Sequence, residues 1–153
     1  MNNSDIASNY NSYYLKNSYD NHIYPVEFVV RAFLGKNNNL DLNKSKYEGL
    51  DILDLGCGDG RNFPLFYNLG MNLFGVEICD SICEETSERL SKYSIKTQIK
   101  KGFNDQIPFD KKFDYICACH SFYYVREGKF FDDNVSELLR VLKRDGYFIA
   151  SLA

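Results

Sequence analysis

A doubly wound α/β domain, with about five parallel strands and helices on both faces, is the fold this sequence predicts. Two observations carry that expectation. From Leu50 onward, short apolar runs alternate with helical segments, which implies right-handed crossovers and a mostly parallel sheet. The first of those runs leads straight into "GCGDG", a glycine-rich turn placed between a strand and a helix. Length and composition agree with one globular domain: 153 residues, 44% hydrophobic and 25% charged.

The first 22 residues are rich in Asn, Ser and Tyr and show little periodicity. "YPVEFVVRAFLG" reads as a short helix, with Pro25 near its first turn and Gly35 just past its end. Phe28, Val29, Ala32 and Phe33 form its expected buried stripe. "KNNNLDLNKSKYEG" is a polar connection. "LDILDL" is the first strand, followed by the glycine turn and a helix starting near Arg61. "MNLFGVE" is the second strand.

"DSICEETSERLSKYS" is a helix whose Ser81 precedes Glu84 by three, a capping signature, with Ile82, Thr86 and Leu90 on one face. "IKTQIKKG" is more polar and suits an edge strand. "FDYICAC" is the fourth strand. "DDNVSELLRVLKRDG" is an amphipathic helix with Val135, Leu138, Leu139 and Leu142 on one side. "YFIASLA" is the fifth strand.

In such a sheet, ligands bind beyond the carboxyl ends of the strands, near the point where strand order reverses. Glu77 closes the second strand roughly 20 residues after the glycines, where an acid accepts both ribose hydroxyls of a nucleoside. The turn departs from the dinucleotide pattern, because Arg61 stands where a third spaced glycine belongs. Asp54 and Asp59 would also repel a pyrophosphate on the helix amino terminus. A cationic adenosine ligand carrying an ammonium group suits both the acids and the ribose clamp, and S-adenosylmethionine is such a molecule.

"DLGCGDGRN" with "GVE" resembles the first two cofactor motifs of class I S-adenosylmethionine-dependent methyltransferases, a Rossmann-like family. "GFNDQIPFDKKFDYICACHSFYYV" resembles their next stretch, and "LLRVLKRDGYFIAS" their last helix and fifth strand, with Asp145-Gly146 in place of Pro-Gly. The likeness covers about residues 48–153. It implies that Asp54, Gly56, Cys57, Gly58 and Gly60 shape the pocket for the methionine half and that Glu77 holds the ribose. The family's adenine-binding acid falls at Phe103, so Asn104 or Asp105 is expected to bond the adenine and Phe103 or Ile78 to stack on it. Cys119 and His120 fall against the methionine half. The likeness makes residues 1–48 a helical, Tyr-rich lid, with Tyr14 and Tyr19 as contacts, or else a polar tail. Residues 49–153 become the cofactor-binding core, without the family's carboxy-terminal β-hairpin, as in a truncated chain. The fifth strand would then be an apolar edge open to pairing with a second copy.

Net charge is −3, which draws the chain neither to nucleic acid nor to an anionic membrane. No apolar run approaches the length of a membrane span, and the amino terminus lacks a signal-peptide pattern, so a cytoplasmic location is expected. The five cysteines are unevenly spaced and include no C-x-x-C pair, so neither a disulfide framework nor a metal site is expected. His120 reads either as a general base beside the transferred methyl group or as a histidine bonded without proton transfer. The expected reaction is in-line methyl transfer to an O or N of a small-molecule acceptor. Two rivals remain open: a cofactor-binding remnant that acts as a binding module, and an NAD-dependent oxidoreductase.

Overall fold

The computed structural model describes residues 24–35 and 47–152, with isolated helical positions at Ser8 and Ser12. Among the described residues, four helices and five strands follow one another. They are α1 (Glu27–Leu34), β1 (Asp51–Leu55), α2 (Phe63–Asn68), β2 (Asn72–Glu77) and α3 (Asp80–Lys92), then β3 (Thr97–Lys101), β4 (Phe113–Cys119), α4 (Phe131–Val141) and β5 (Leu142–Ser151). All strand pairs are parallel, in the order β3-β2-β1-β4-β5. The order reverses beside β1, between β2 and β4, which places the glycine turn at the switch point.

The two-residue period of a strand divides the core. Ile52, Tyr115 and Cys117 face a layer built from Val29, Ala32 and Phe33 of α1, Phe63 and Phe66 of α2, and Leu90 of α3. Leu53, Leu55, Ile116 and Ala118 face the other side, against Leu138 and Val141 of α4. Phe33 is the hub of the first layer. Its ring meets those of Phe66 at 5.1 Å and of Tyr47 and Tyr115 at 5.6 Å, all tilted or edge-on. Phe74, Phe109 and Phe113 form a matching edge-on trio on the far side. Helices on both faces are what the alternating pattern predicted.

Three local readings change. α3 begins at Asp80 with Cys79 at its N-cap, so Ser81 lies inside the first turn rather than at the cap. α4 stops at Val141, because Leu142 is already extended and pairs with Phe113 of β4. The next aligned pair is Tyr115 with Tyr147, so β5 carries an irregularity where the pattern suggested more helix. Leu139, expected in the buried stripe, is 63% exposed, since the stripe of α4 turns on Leu138 and Val141.

The "IPF" turn before β4 is fixed by α4. Glu137 Oε1 accepts the Ile107 N–H at 2.8 Å, and the Arg140 guanidinium donates to Phe109 O and Ile107 O at 3.0 and 2.7 Å. No helix among the described residues is long and apolar enough to cross a membrane.

Gly60 is the position where the backbone tolerates least. Its φ of +71° disfavours any side chain, and a Cβ there would sit 2.7 Å from Thr86 Cγ2 and 3.0 Å from the Phe63 ring. Gly60→Ala is expected to lower stability by about 2–4 kcal/mol, read from urea denaturation midpoints at unchanged m-value.

Candidate functional site

The central strand β1 delivers Asp54 to the switch point. Alternation puts Asp54 on the same face as Ile52, toward α1 and α2, with Gly75 of β2 and Cys117 of β4 as its register partners. Its side chain is enclosed, with the residue 1% exposed. Burial pushes the carboxyl up to about 7; the Asn62 hydrogen bond opposes this, and the charges of Asp59 and Glu77 add to it. The bond from Asn62 Nδ2 to Asp54 Oδ2 is 3.1 Å.

The loop after β1 is held by its neighbours at every step. Gly56 N–H and Cys57 N–H both donate to Val76 O, at 2.8 and 3.0 Å. Thr86 Oγ1 donates to Gly58 O at 3.0 Å, and Ser121 Oγ donates to Leu55 O at 2.5 Å. Gly56 is exposed, with φ +75°, and a Cβ on it would lie 2.5 Å from Ser121 Cβ. Two of the three glycines, Gly56 and Gly60, are thus required by the protein's own packing. Cys57 turns inward: its Sγ stands 2.9 Å from the point a Cβ on Gly75 would take, and the residue belongs to the core.

Glu77 reaches the loop from β2. Its Oε2 accepts the Gly58 N–H at 3.0 Å and its Oε1 the Ile78 N–H at 2.7 Å. The Cys79 N–H bonds the carboxylate as well, and three donors leave one of its four lone-pair sites for a ribose hydroxyl. Burial raises the Glu77 carboxyl, against the backbone N–H groups that lower it. Asp59 is different. Arg61 grips it through Nε at 3.1 Å and Nη2 at 2.7 Å, so its charge is balanced locally. The negative well of the cleft is therefore formed by Asp54 and Glu77, where the sequence pointed to Asp54 and Asp59. Among the described residues, neither Asp54 nor Glu77 has an ion-pair partner.

The stretch after β3 comes beside Glu77 through the bond from Gly102 N–H to Glu77 O at 3.0 Å. Asp105 is already engaged: Arg126 clamps both oxygens, at 2.8 and 2.5 Å, and its side chain is 1% exposed. Asn104 Nδ2 donates to Ser121 O and Tyr124 O, leaving Oδ1 as its acceptor. The Arg126 guanidinium lies 4.2 Å over the half-buried Phe103 ring. Ile78 is half-buried at the end of β2.

At the end of β4, Cys119 is half-buried, with its Sγ 3.9 Å from Cys117 Sγ. His120 is exposed and holds φ +51°, a left-handed conformation rare for a side chain other than glycine. Its N–H donates to Ser151 O at 3.2 Å. Tyr14 and Tyr19, and the proposed lid with them, lie outside the described residues. Asn62, Ser121 and Arg126 escaped the sequence reading, and Thr86 entered it only as part of one face of α3.

A family model described as a methyltransferase domain matches residues 53–150. The chain belongs to that family. It is a class I S-adenosylmethionine-dependent methyltransferase domain, and S-adenosylmethionine is the family's cofactor. The methyltransferase domain is 26% identical over 130 residues to the ubiquinone biosynthesis O-methyltransferase of Pelagibacter ubique (strain HTCC1062), covering 84% of this chain and 51% of that protein. The chain thus spans about half the length of the curated relative it matches.

Two solved structures share its fold. The PH0226 protein from Pyrococcus horikoshii OT3 superposes with a TM-score of 0.62 at 21% identity, over 84% of this chain and 63% of that one. A SAM-dependent methyltransferase from Aquifex aeolicus gives 0.59 at 23% identity, over 67% and 56%.

The residues present fit that cofactor. Two buried carboxylates without a protein cation call for a positively charged ligand, and the glycine loop is open at Gly56. The same pair fixes a pH dependence. Asp54 rises from an unfolded value of 3.8 to about 7, so the folded chain holds a proton the unfolded chain has lost between those values. Stability on this account is present at low pH and falls as pH climbs toward 7, by up to about 4 kcal/mol. Asp54→Asn is expected to flatten that slope in urea titrations of the ligand-free chain, measured as the difference from wild type.

Proposed function

We propose that this chain moves a methyl group from S-adenosylmethionine to an oxygen or nitrogen of a small-molecule acceptor. The observation that carries the reading is the pair of buried carboxylates, Asp54 and Glu77, on either side of the Gly56–Gly60 loop and without an ion-pair partner among the described residues. When bound, the cofactor supplies a methyl group on a sulfonium sulfur, which leaves as a neutral thioether.

The chain's residues then have separate tasks. Asp54 would balance the ammonium of the methionine half, and Glu77 would accept a ribose hydroxyl. Asn104 Oδ1 would receive the adenine amino group, with Phe103 or Ile78 against the ring. Because positive charge spreads out during the transfer, the protein's main contribution is alignment of donor and acceptor. His120, projecting beyond β4 from a strained backbone, would take the proton from the acceptor hydroxyl or ammonium.

The relative's name supports an oxygen acceptor. Tyr123 and Tyr124, whose rings lie 4.5 Å apart on the loop after β4, suit a planar one. The family match sets the oxidoreductase reading aside. Binding without transfer is the second reading, since Asp54 and Glu77 would serve binding whether or not a methyl group moves.

Calorimetry with S-adenosylhomocysteine, followed by methyl-transfer assays on phenols and amines, tests these readings. Tight binding with turnover supports the first, and binding without turnover the second. Asp54→Ala is expected to weaken binding about tenfold or more. His120→Ala is expected to lower kcat about 100-fold while leaving binding within about threefold. Full cofactor affinity in Asp54→Ala would remove the basis of the assignment.

A further inference from the structure

Asn62 makes two hydrogen bonds that tie one layer of the fold to another. Its Oδ1 accepts the Val26 N–H at 3.1 Å, and its Nδ2 donates to Asp54 Oδ2 at 3.1 Å. The residue is 4% exposed. Donor chemistry fixes the amide's orientation, because a backbone N–H can meet only the oxygen and the carboxylate then receives the NH2. Val26 immediately precedes α1, and its N–H is one of the groups a helix start leaves without an internal partner. The entry to α1 therefore rests on Asn62, and Asn62 rests on Asp54.

We propose that Asn62 is a positioning residue that couples the seating of α1 to the charge and orientation of Asp54, and through Asp54 to cofactor affinity. The proposal rests on the assignment of S-adenosylmethionine to the glycine loop. With α1 seated, the amide is pinned on Oδ2, and Oδ1 is the oxygen Asp54 turns to a cation. With α1 displaced, the amide is free to rotate, and Asp54 loses the donor that favours its charged form.

The other groups facing Asp54 cannot substitute for that donor. Asp59 and Glu77 add negative potential, and the Cys57 and Cys117 thiols, raised far above their ordinary range, stay protonated. Arg61 is committed to Asp59. Glu27, in the first turn of α1, is 84% exposed and pairs with Arg31 at 3.7 Å.

Two variants separate the halves of the bridge. Asn62→Ala removes both bonds. Val26→Pro removes only the N–H, since Val26 has φ −62° and proline adopts about −65°. Val26→Ala controls for the lost side chain. Carboxyl NMR of the ligand-free chain reads the Asp54 midpoint, and calorimetry with S-adenosylhomocysteine reads affinity from about pH 5.5 to about pH 8.5.

In Asn62→Ala the midpoint is expected to rise by about one pH unit, with affinity falling about tenfold at the acid end, about fivefold near neutrality and less than about threefold at the alkaline end. Val26→Pro is expected to shift both the same way by a smaller amount, and Val26→Ala to shift neither. An unmoved midpoint in Asn62→Ala, or an affinity loss equal at every pH, overturns the proposal. Should Asn62→Ala not fold, an unmoved midpoint in Val26→Pro overturns the link to α1. Wild-type chain that binds no S-adenosylhomocysteine would sink the cofactor assignment instead, while the NMR midpoint still decides the bridge.

Discussion

A carboxylate enclosed at the centre of a parallel sheet, with no cation to balance it among the described residues, is the constraint around which this molecule is arranged. Asp54 occupies the middle strand and is flanked on both sides by β2 and β4, so water cannot reach it to screen the charge. Burial of this kind opposes folding, and an apolar residue there would pack more easily. A strand whose other inward positions are Ile52, Leu53 and Leu55 retains such a group at the topological switch point, where the fold exposes its ligand site. Glu77 repeats the arrangement one strand over, and the glycine loop runs between the two.

The surrounding structure supports this pair without neutralising it. Hydrogen bonds from Gly58, Ile78 and Asn62 hold the two carboxylates in place with neutral donors. The available guanidinium groups are spent elsewhere, Arg61 on Asp59 and Arg126 on Asp105. Each of these arginines balances an acid just outside the well. The cleft therefore keeps a net negative character that a bound cation can relieve.

Much of this was legible in the chain. Alternating apolar runs and helical segments gave the strand succession, because the periods of 2 and 3.6 are imposed by backbone geometry. The glycine turn and the acid at the end of "FGVE" marked the candidate site, since few other residues let a loop pass close to a ligand. Contacts between segments distant in sequence were not legible. Nothing in "YYVREGK" signals that Arg126 folds back on Asp105, and nothing in "ACHSFYY" signals that Ser121 bonds Leu55. The helix expected to run to Gly146 ended early for the same reason: pairing of Leu142 with Phe113 outweighed local preference. The balance of charge around Asp59 also hid in plain view, because Arg61 was read as a missing glycine rather than as a partner.

The tight fit of Ser121 over Gly56 has a consequence for how such a cleft can diversify. With no room for a methyl group between them, and with the Ser121 hydroxyl on Leu55 O, the glycine loop and the loop after β4 form a single rigid block at that point. A larger residue at 121 would push first on the glycine loop. On the proposed function, new acceptor preferences would therefore arise farther out, from Tyr123 onward, away from that block. The fold thereby separates what is inherited from what can be reinvented.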